Sequence, residues 1–231
     1  MSARYAIYFA PAHGSPWWQF GARWLGRDEF EDVPLAPSVS AQIDPAVLHA
    51  ITAAPRRYGF HATLKAPFRL SGEHSRDDLL ARLAWLAATL KPVALGPLHV
   101  STLGNFVALV PGATPPALAE LAATCVTELD DLRAPLTSAD LARRRVETLD
   151  PREAELLDLY GYPYVMERLR FHFSLTGPIA QAQQLQVKRA VAADVARLNR
   201  ETPLRLDRLC LFVEATPGAS FQRIADIEVG A

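Results

Sequence analysis

Residues 60–67 read FHATLKAP and residues 171–178 read FHFSLTGP. Aligned, Phe60, His61, Thr63, Leu64 and Pro67 fall on Phe171, His172, Ser174, Leu175 and Pro178. The order of elements after each copy repeats as well. The first copy, a strand over 59–66, leads to an amphipathic helix over about 75–90 and the strand candidates VALGPLHV and FVALVPG, turned at Gly104-Asn105. The second, a strand over 169–176, leads to a helix over about 179–198 and the strand candidates PLRLDRLCLFVEA and FQRIADIEV, turned at Gly218.

A repeated motif followed by a repeated element order argues for internal duplication. The expected fold is therefore α+β: one domain of 231 residues with two pseudo-symmetric lobes of antiparallel or mixed sheet, helices on the outer faces and a central cleft. Lobe one covers about 45–111 and lobe two about 165–231, with the N-terminal strand 4–10 (RYAIYFA) pairing into either. Three helical stretches over 115–160, parted by Pro135 and Pro151, form the connection or a cap. Near the start, Ser15 reads as the cap of a helix through SPWWQFGARWLG, with Pro16 at its first position and Gly26 near its end. PAVLHAI reads as a short helix.

Side chains alternate along a strand. His61, Thr63 and Lys65 then share one face, opposite Phe60, Ala62, Leu64 and Ala66; His172, Ser174 and Thr176 share another, opposite Phe171, Phe173 and Leu175. Each copy has an apolar face for the core and a polar face with imidazole beside hydroxyl. If those polar faces meet, the cleft holds two imidazoles, two hydroxyls and one ammonium. Two histidines near their ordinary pKa serve as general base and general acid, and hydroxyls with Lys65 hold phosphoryl oxygens. That set suits metal-free cleavage of a phosphodiester. Repeated packing explains the shared Phe, Leu and Pro; it does not explain a shared His and hydroxyl on the other face. His13-Gly-Ser15 and His99-Val-Ser101 repeat the spacing without a partner copy, so His13, His49, His74 and His99 read as surface or packing residues.

The bulk properties narrow the partners. With 24 basic against 25 acidic side chains and a net charge of −1, the chain has no broad field for long nucleic acid, while a small phosphorylated substrate needs only a local positive cluster. Cys125 and Cys210 lie in apolar settings and read as buried free thiols of a reducing compartment. No apolar run spans a bilayer and no signal-peptide pattern precedes RYAIYFAP, so the expectation is a cytoplasmic protein with no membrane partner. No cofactor and no metal is implied: neither motif histidine has a carboxylate two residues away on its strand face. Nothing in the pattern fixes an oligomeric state.

The tetrads HATL and HFSL resemble the paired H-x-[ST]-hydrophobic signatures of the two-histidine (2H) phosphoesterase superfamily, which includes bacterial RNA-ligase-like cyclic phosphodiesterases. With RYAIYFAP, WLGRD, RRYGFHATLKAPFRL and RFHFSLTGP around them, the chain from residue 4 to about 228 is similar to the branch encoded among bacterial phosphonate-utilisation genes. The resemblance implies a bilobal fold, His61 and His172 as the acid/base pair, Thr63 and Ser174 on phosphate, and cyclic phosphodiesters or RNA ends as substrates. Lys65 faces Thr176 in the alignment, which makes the site asymmetric. Further candidates for ligand contact are Tyr58, Arg56, Arg170 and Thr176 around the motifs, and Trp24 with Arg27 for stacking on and neutralising a ribose phosphate. Packing, helix capping and rim ion pairs are their alternatives, and a solvated helical face is the reading of Arg143–Arg145. The competing function is a non-catalytic module that binds a phosphorylated metabolite or an RNA end.

Overall fold

The computed structural model describes residues 3–36, 43–143 and 146–230. In chain order it contains β1 (Arg4–Phe9), α1 (Pro16–Leu25), β2 (Arg27–Asp28), β3 (Val33–Pro34), α2 (Pro45–Ile51), α3 (Ala53–Arg56) and β4 (Ala62–Phe68). Next come α4 (Arg76–Thr89), β5 (Val93–Ala94), β6 (Leu98–Leu103), β7 (Phe106–Pro111), α5 (Pro116–Thr127), α6 (Ser138–Arg143) and α7 (Pro151–Tyr160). The chain ends with β8 (Phe173–Ser174), α8 (Gln181–Glu201), β9 (Arg205–Leu206), β10 (Arg208–Glu214) and β11 (Gln222–Glu228). The fold is α+β. No helix among the described residues is long and apolar enough to cross a membrane. Of the arginine run, Arg144 and Arg145 lie outside those residues.

Local chemistry sets the helix ends. Ser15 accepts from the Trp18 N–H to cap α1, Pro16 takes the first position, and Gly26 closes the end at φ +76°. Ser75 and Asp78 form a capping box at α4, and Asp150 with Glu153 another at α7.

The sheets do not follow the sequence-contiguous division. A four-stranded antiparallel sheet runs β11-β10-β1-β4, and a three-stranded one runs β6-β7-β8. The first motif strand thus joins the hairpin of the second half, and the second motif strand joins the hairpin of the first. The helix after each motif carries the chain away, so the following hairpin enters the other copy's sheet, β7 pairing directly with β8 and β10 reaching β4 through β1. β1 pairs on both edges, with β10 and with β4.

The core lies where the motifs' apolar faces meet. Phe60 stacks on Phe173 at 5.0 Å, and Phe9 and Phe171 meet Phe173 edge-on. Ile7, Leu64, Leu109 and Leu175 are buried in the same cluster. Cys125 and Cys210 are free and buried, and burial pushes both thiols up to about 12.

Candidate active site

Both motif histidines stand just outside regular strand, β4 beginning at Ala62 and β8 at Phe173. β8 is shorter than expected because Val107 ends the ladder. Its carbonyl accepts from the N–H groups of both Leu175 and Thr176, and its own N–H donates to Thr176 Oγ1 at 3.0 Å. Thr176 is buried by that role and does not line the cleft.

Each imidazole is oriented the same way. His61 Nδ1 lies 3.0 Å from the Gly59 carbonyl and His172 Nδ1 lies 2.5 Å from the Arg170 carbonyl. A carbonyl only accepts, so Nδ1 carries the proton in both, and the neutral rings keep a lone pair on Nε2. The same i to i−2 lock appears in both copies of the motif. Gly59 makes the first one possible: it sits at φ +77°, and a Cβ there would come within 2.7 Å of Glu29 Cβ. His61 also lies flat on Tyr8, with ring centroids 3.9 Å apart, while Phe106 flanks His172 at 5.6 Å.

His61, His172, Thr63 and Ser174 line one cleft of about 640 Å³, together with Tyr8 and Tyr58. A neighbouring cavity of about 710 Å³, lined by Phe106, Asn105, Leu169 and Arg170, shares His172 and Thr63 with it. Tyr162 and Tyr164 border both, so the loop after α7 supplies a wall.

Lys65 is not in this cleft, which corrects its assignment to phosphate. Its side chain is buried, and Nζ donates to the Val126 carbonyl and to Asp130 Oδ1, both at 3.0 Å. Simple alternation fails because β4 bulges against β1. Thr63 lies opposite Tyr8 and Lys65 opposite Ile7, so one step on β1 answers to two on β4. Tyr8 borders the cleft and Ile7 belongs to the main core, and Lys65 follows Ile7.

The outer candidates divide by contact. Tyr58 does line the cleft, stacked on Phe221 at 5.0 Å. Arg170 lines the neighbouring cavity, its guanidinium 4.8 Å from the Tyr164 ring. Arg56 is a helix clamp, with Nε on the Leu25 carbonyl at 2.7 Å and Nη2 on Thr52 Oγ1 at 2.6 Å. Trp24 is buried, donating from Nε1 to the Leu175 carbonyl at 2.8 Å, and so braces the second motif from behind. Arg27 is buried too, tying Asp32 to the carbonyls of Arg56, Arg57 and Phe221.

Several cleft residues escaped the sequence reading, among them Tyr8, Arg4, Arg57, Asp140, Tyr162 and Tyr164. The first two had a signal. Tyr5, Ile7 and Phe9 read as the core face of β1, and the complementary face is Arg4, Ala6 and Tyr8.

Electrostatically the site keeps its imidazoles neutral. Burial, joined by the repulsion of His172, lowers His61 to about 4 against the pull of the Gly59 carbonyl. Burial and then Arg170 lower His172 against the Arg170 carbonyl. In the unfolded chain both rings titrate near 6.5. As pH falls through 6.5 the unfolded state takes up protons that folded His61 refuses until about 4, so His61 costs stability over that window. In a proton NMR titration, the expected His61 Hε1 midpoint is near 4, and it moves up when inorganic phosphate occupies the cleft; a midpoint at 6.5 without ligand contradicts this burial.

Residues 63–222 match the family described as "Protein of unknown function (DUF1045)", and the chain belongs to that family. Two curated relatives are each named ribose 1,5-bisphosphate phosphokinase PhnN. The one from Janthinobacterium sp. (strain Marseille) is 39% identical over 221 residues, covering 94% of this chain and 49% of that protein. The one from Laribacter hongkongensis (strain HLHK9) is 39% identical over 220 residues, covering 95% of this chain and 50% of that protein. The chain spans about half the length of the curated relatives it matches.

Proposed function

We propose that this member of the DUF1045 family is a phosphoesterase of the two-histidine type, which opens a small cyclic phosphodiester of ribose or a nucleotide, with a place in phosphonate metabolism. The observation that carries the reading is the matched Nδ1–carbonyl lock on His61 and His172 in a cleft that also holds Thr63 and Ser174. Each lock leaves Nε2 for proton exchange with a ligand. Thr63 and Ser174 donate hydroxyl hydrogens to the non-bridging oxygens. One imidazole takes a proton from water as its oxygen attacks phosphorus; the other, protonated, gives its proton to the departing ester oxygen. One P–O bond forms and one breaks, and the product is a phosphomonoester. Two neutral imidazoles supply only the base, so the anionic substrate must bring in the second proton by raising one ring's pKa.

The relatives' name supports ribose phosphates as the ligand class and also raises a kinase reading. The chain contains no G-x-x-x-x-G-K-[ST] run, so a phosphate-cradling loop of that type is not part of it. The kinase of the relatives is then assigned to the half of their length that this chain does not span.

A second reading is favoured by the lowered histidine pKa values: a binding module whose neutral rings only hydrogen-bond a phosphometabolite or RNA end. Phosphorus NMR separates the two. In EDTA, a 2′,3′-cyclic nucleotide or a cyclic ribose phosphate is expected to convert to a monoester with wild type and not with His61→Ala/His172→Ala. Unchanged ligand whose resonance broadens with wild type only overturns the hydrolase in favour of the binding module.

A further inference from the structure

The cleft carries two guanidiniums that the acid/base reading leaves unused. Arg4 and Arg57 both line it, on the Tyr58 and Gly218 side, away from Phe106. Both are anchored on one buried carboxylate: Arg4 Nε donates to Glu214 Oε2 and Arg57 Nη2 to Glu214 Oε1, with Glu214 1% exposed. The Gly218 N–H adds a third bond to Glu214 at 3.0 Å, and Arg57 Nε is fixed on the Ala219 carbonyl at 2.9 Å. The aromatic wall completes the mount, with the Arg57 guanidinium 5.3 Å from the Tyr58 ring and that of Arg4 5.7 Å from Phe221. Burial works against the Glu214 charge, but Arg4, Gly218 and Arg57 outweigh it and hold the carboxyl below its usual range.

This arrangement differs from a structural ion pair in its balance. Two cations share one anion, which leaves one positive charge, and no hydrogen bond engages Arg57 Nη1 or either Arg4 Nη among the described residues. The carboxylate that does border the cleft, Asp140, is already held by Arg69 and Thr137. Rigid guanidinium edges with unspent donors are the usual receptor for a phosphate dianion. They are also set apart from the reacting centre: the Arg57 guanidinium lies 5.3 Å from the Tyr58 ring, itself 6.0 Å from His61, and the backbones of Arg4 and Tyr8 are four residues, roughly 13 Å, apart on one face of β1, with His61 stacked on Tyr8.

Resting on the phosphoesterase reading of the same cleft, we infer that the substrate carries a second phosphate, a monoester one sugar away from the ester that reacts, and that Arg4 and Arg57 bind it. The histidines and hydroxyls meet the diester monoanion, and the guanidiniums select its phosphorylated form.

The test pairs an adenosine 2′,3′-cyclic phosphate with the same compound phosphorylated at the 5′ oxygen. Binding of each is measured by calorimetry to His61→Ala/His172→Ala, in which no turnover interferes, and kcat/KM is measured with wild type. A charge-assisted contact implies that the 5′-phosphorylated compound binds about ten- to a hundredfold tighter, and that Arg57→Met in the same background brings the ratio of the two Kd values toward one. Arg57→Lys is expected to keep part of it. Equal Kd values for the pair overturn the second-phosphate inference even if both compounds are cleaved. A clear preference in binding with no cleavage by wild type sustains it while removing the hydrolase.

Discussion

The expected result of replacing His61 or His172 with alanine is a fall in kcat of about a hundredfold or more, with Tm within a few degrees of wild type. Each ring takes or gives one proton in the same displacement, so losing either blocks the step that the other serves. The double variant should therefore be little worse than either single one, because groups that act as a unit do not add. Stability is spared for a geometric reason. Neither ring is part of the main apolar cluster, and among the described residues each makes one hydrogen bond, from Nδ1 to a backbone carbonyl. Truncation at position 61 even removes a group that resists protonation below pH 6.5. Activity measured on a cyclic nucleotide beside circular-dichroism melting separates the two effects. Retained activity in both single variants removes acid/base catalysis by this pair; loss of activity together with loss of fold would show that the rings are structural.

How much of this was readable follows from what the repeat encodes. Local signals were strong: Ser15, Pro16 and Gly26 bound α1 as their chemistry requires, and the helix after each motif lies within a few residues of where its apolar spacing put it. The pairing of sheets was not readable, because a strand's sequence states which face is apolar and not which hairpin will lie beside it. Hence the expectation of contiguous lobes gave way to exchanged hairpins. Lys65 was misplaced for a related reason. Alternation is a property of regular strand, and the bulge between Thr63 and Lys65 arises from the register that β4 must adopt against β1. Trp24, Arg27, Arg56 and Thr176 have polar groups that ligands use and backbones use equally; their partners, distant in sequence, decided it. Arg57 carries no such signal, because the short helix α3 ends at Arg56 and strand parity from His61 does not extend back to it.

The contact that sets the first histidine lies in a glycine. Gly21 sits inside α1, where alanine would ordinarily be favoured by about 1 kcal/mol. Here a Cβ would fall 1.9 Å from Phe60 Cγ and 2.2 and 2.5 Å from its two Cδ atoms. The ring cannot step aside cheaply, because it is fully buried, stacked on Phe173 at 5.0 Å and edge-on to Phe20 at 6.1 Å. Gly21→Ala is therefore expected to destabilise by about 2–3 kcal/mol, a loss of roughly 5–10 °C in Tm for a chain of this size. It should also lower kcat, since Phe60 is joined directly to His61 and moving it disturbs the Nδ1 lock on Gly59. The control is the double-mutant cycle with Phe60→Ala. With the ring gone, the alanine at 21 has room and its helix preference acts alone, so the sign of the substitution should reverse. Thermal melting of the four proteins reads both signs. If Gly21→Ala is neutral or stabilising in the wild-type background, α1 does not press on Phe60 this closely, and the first histidine is positioned by Gly59 and Tyr8 without it.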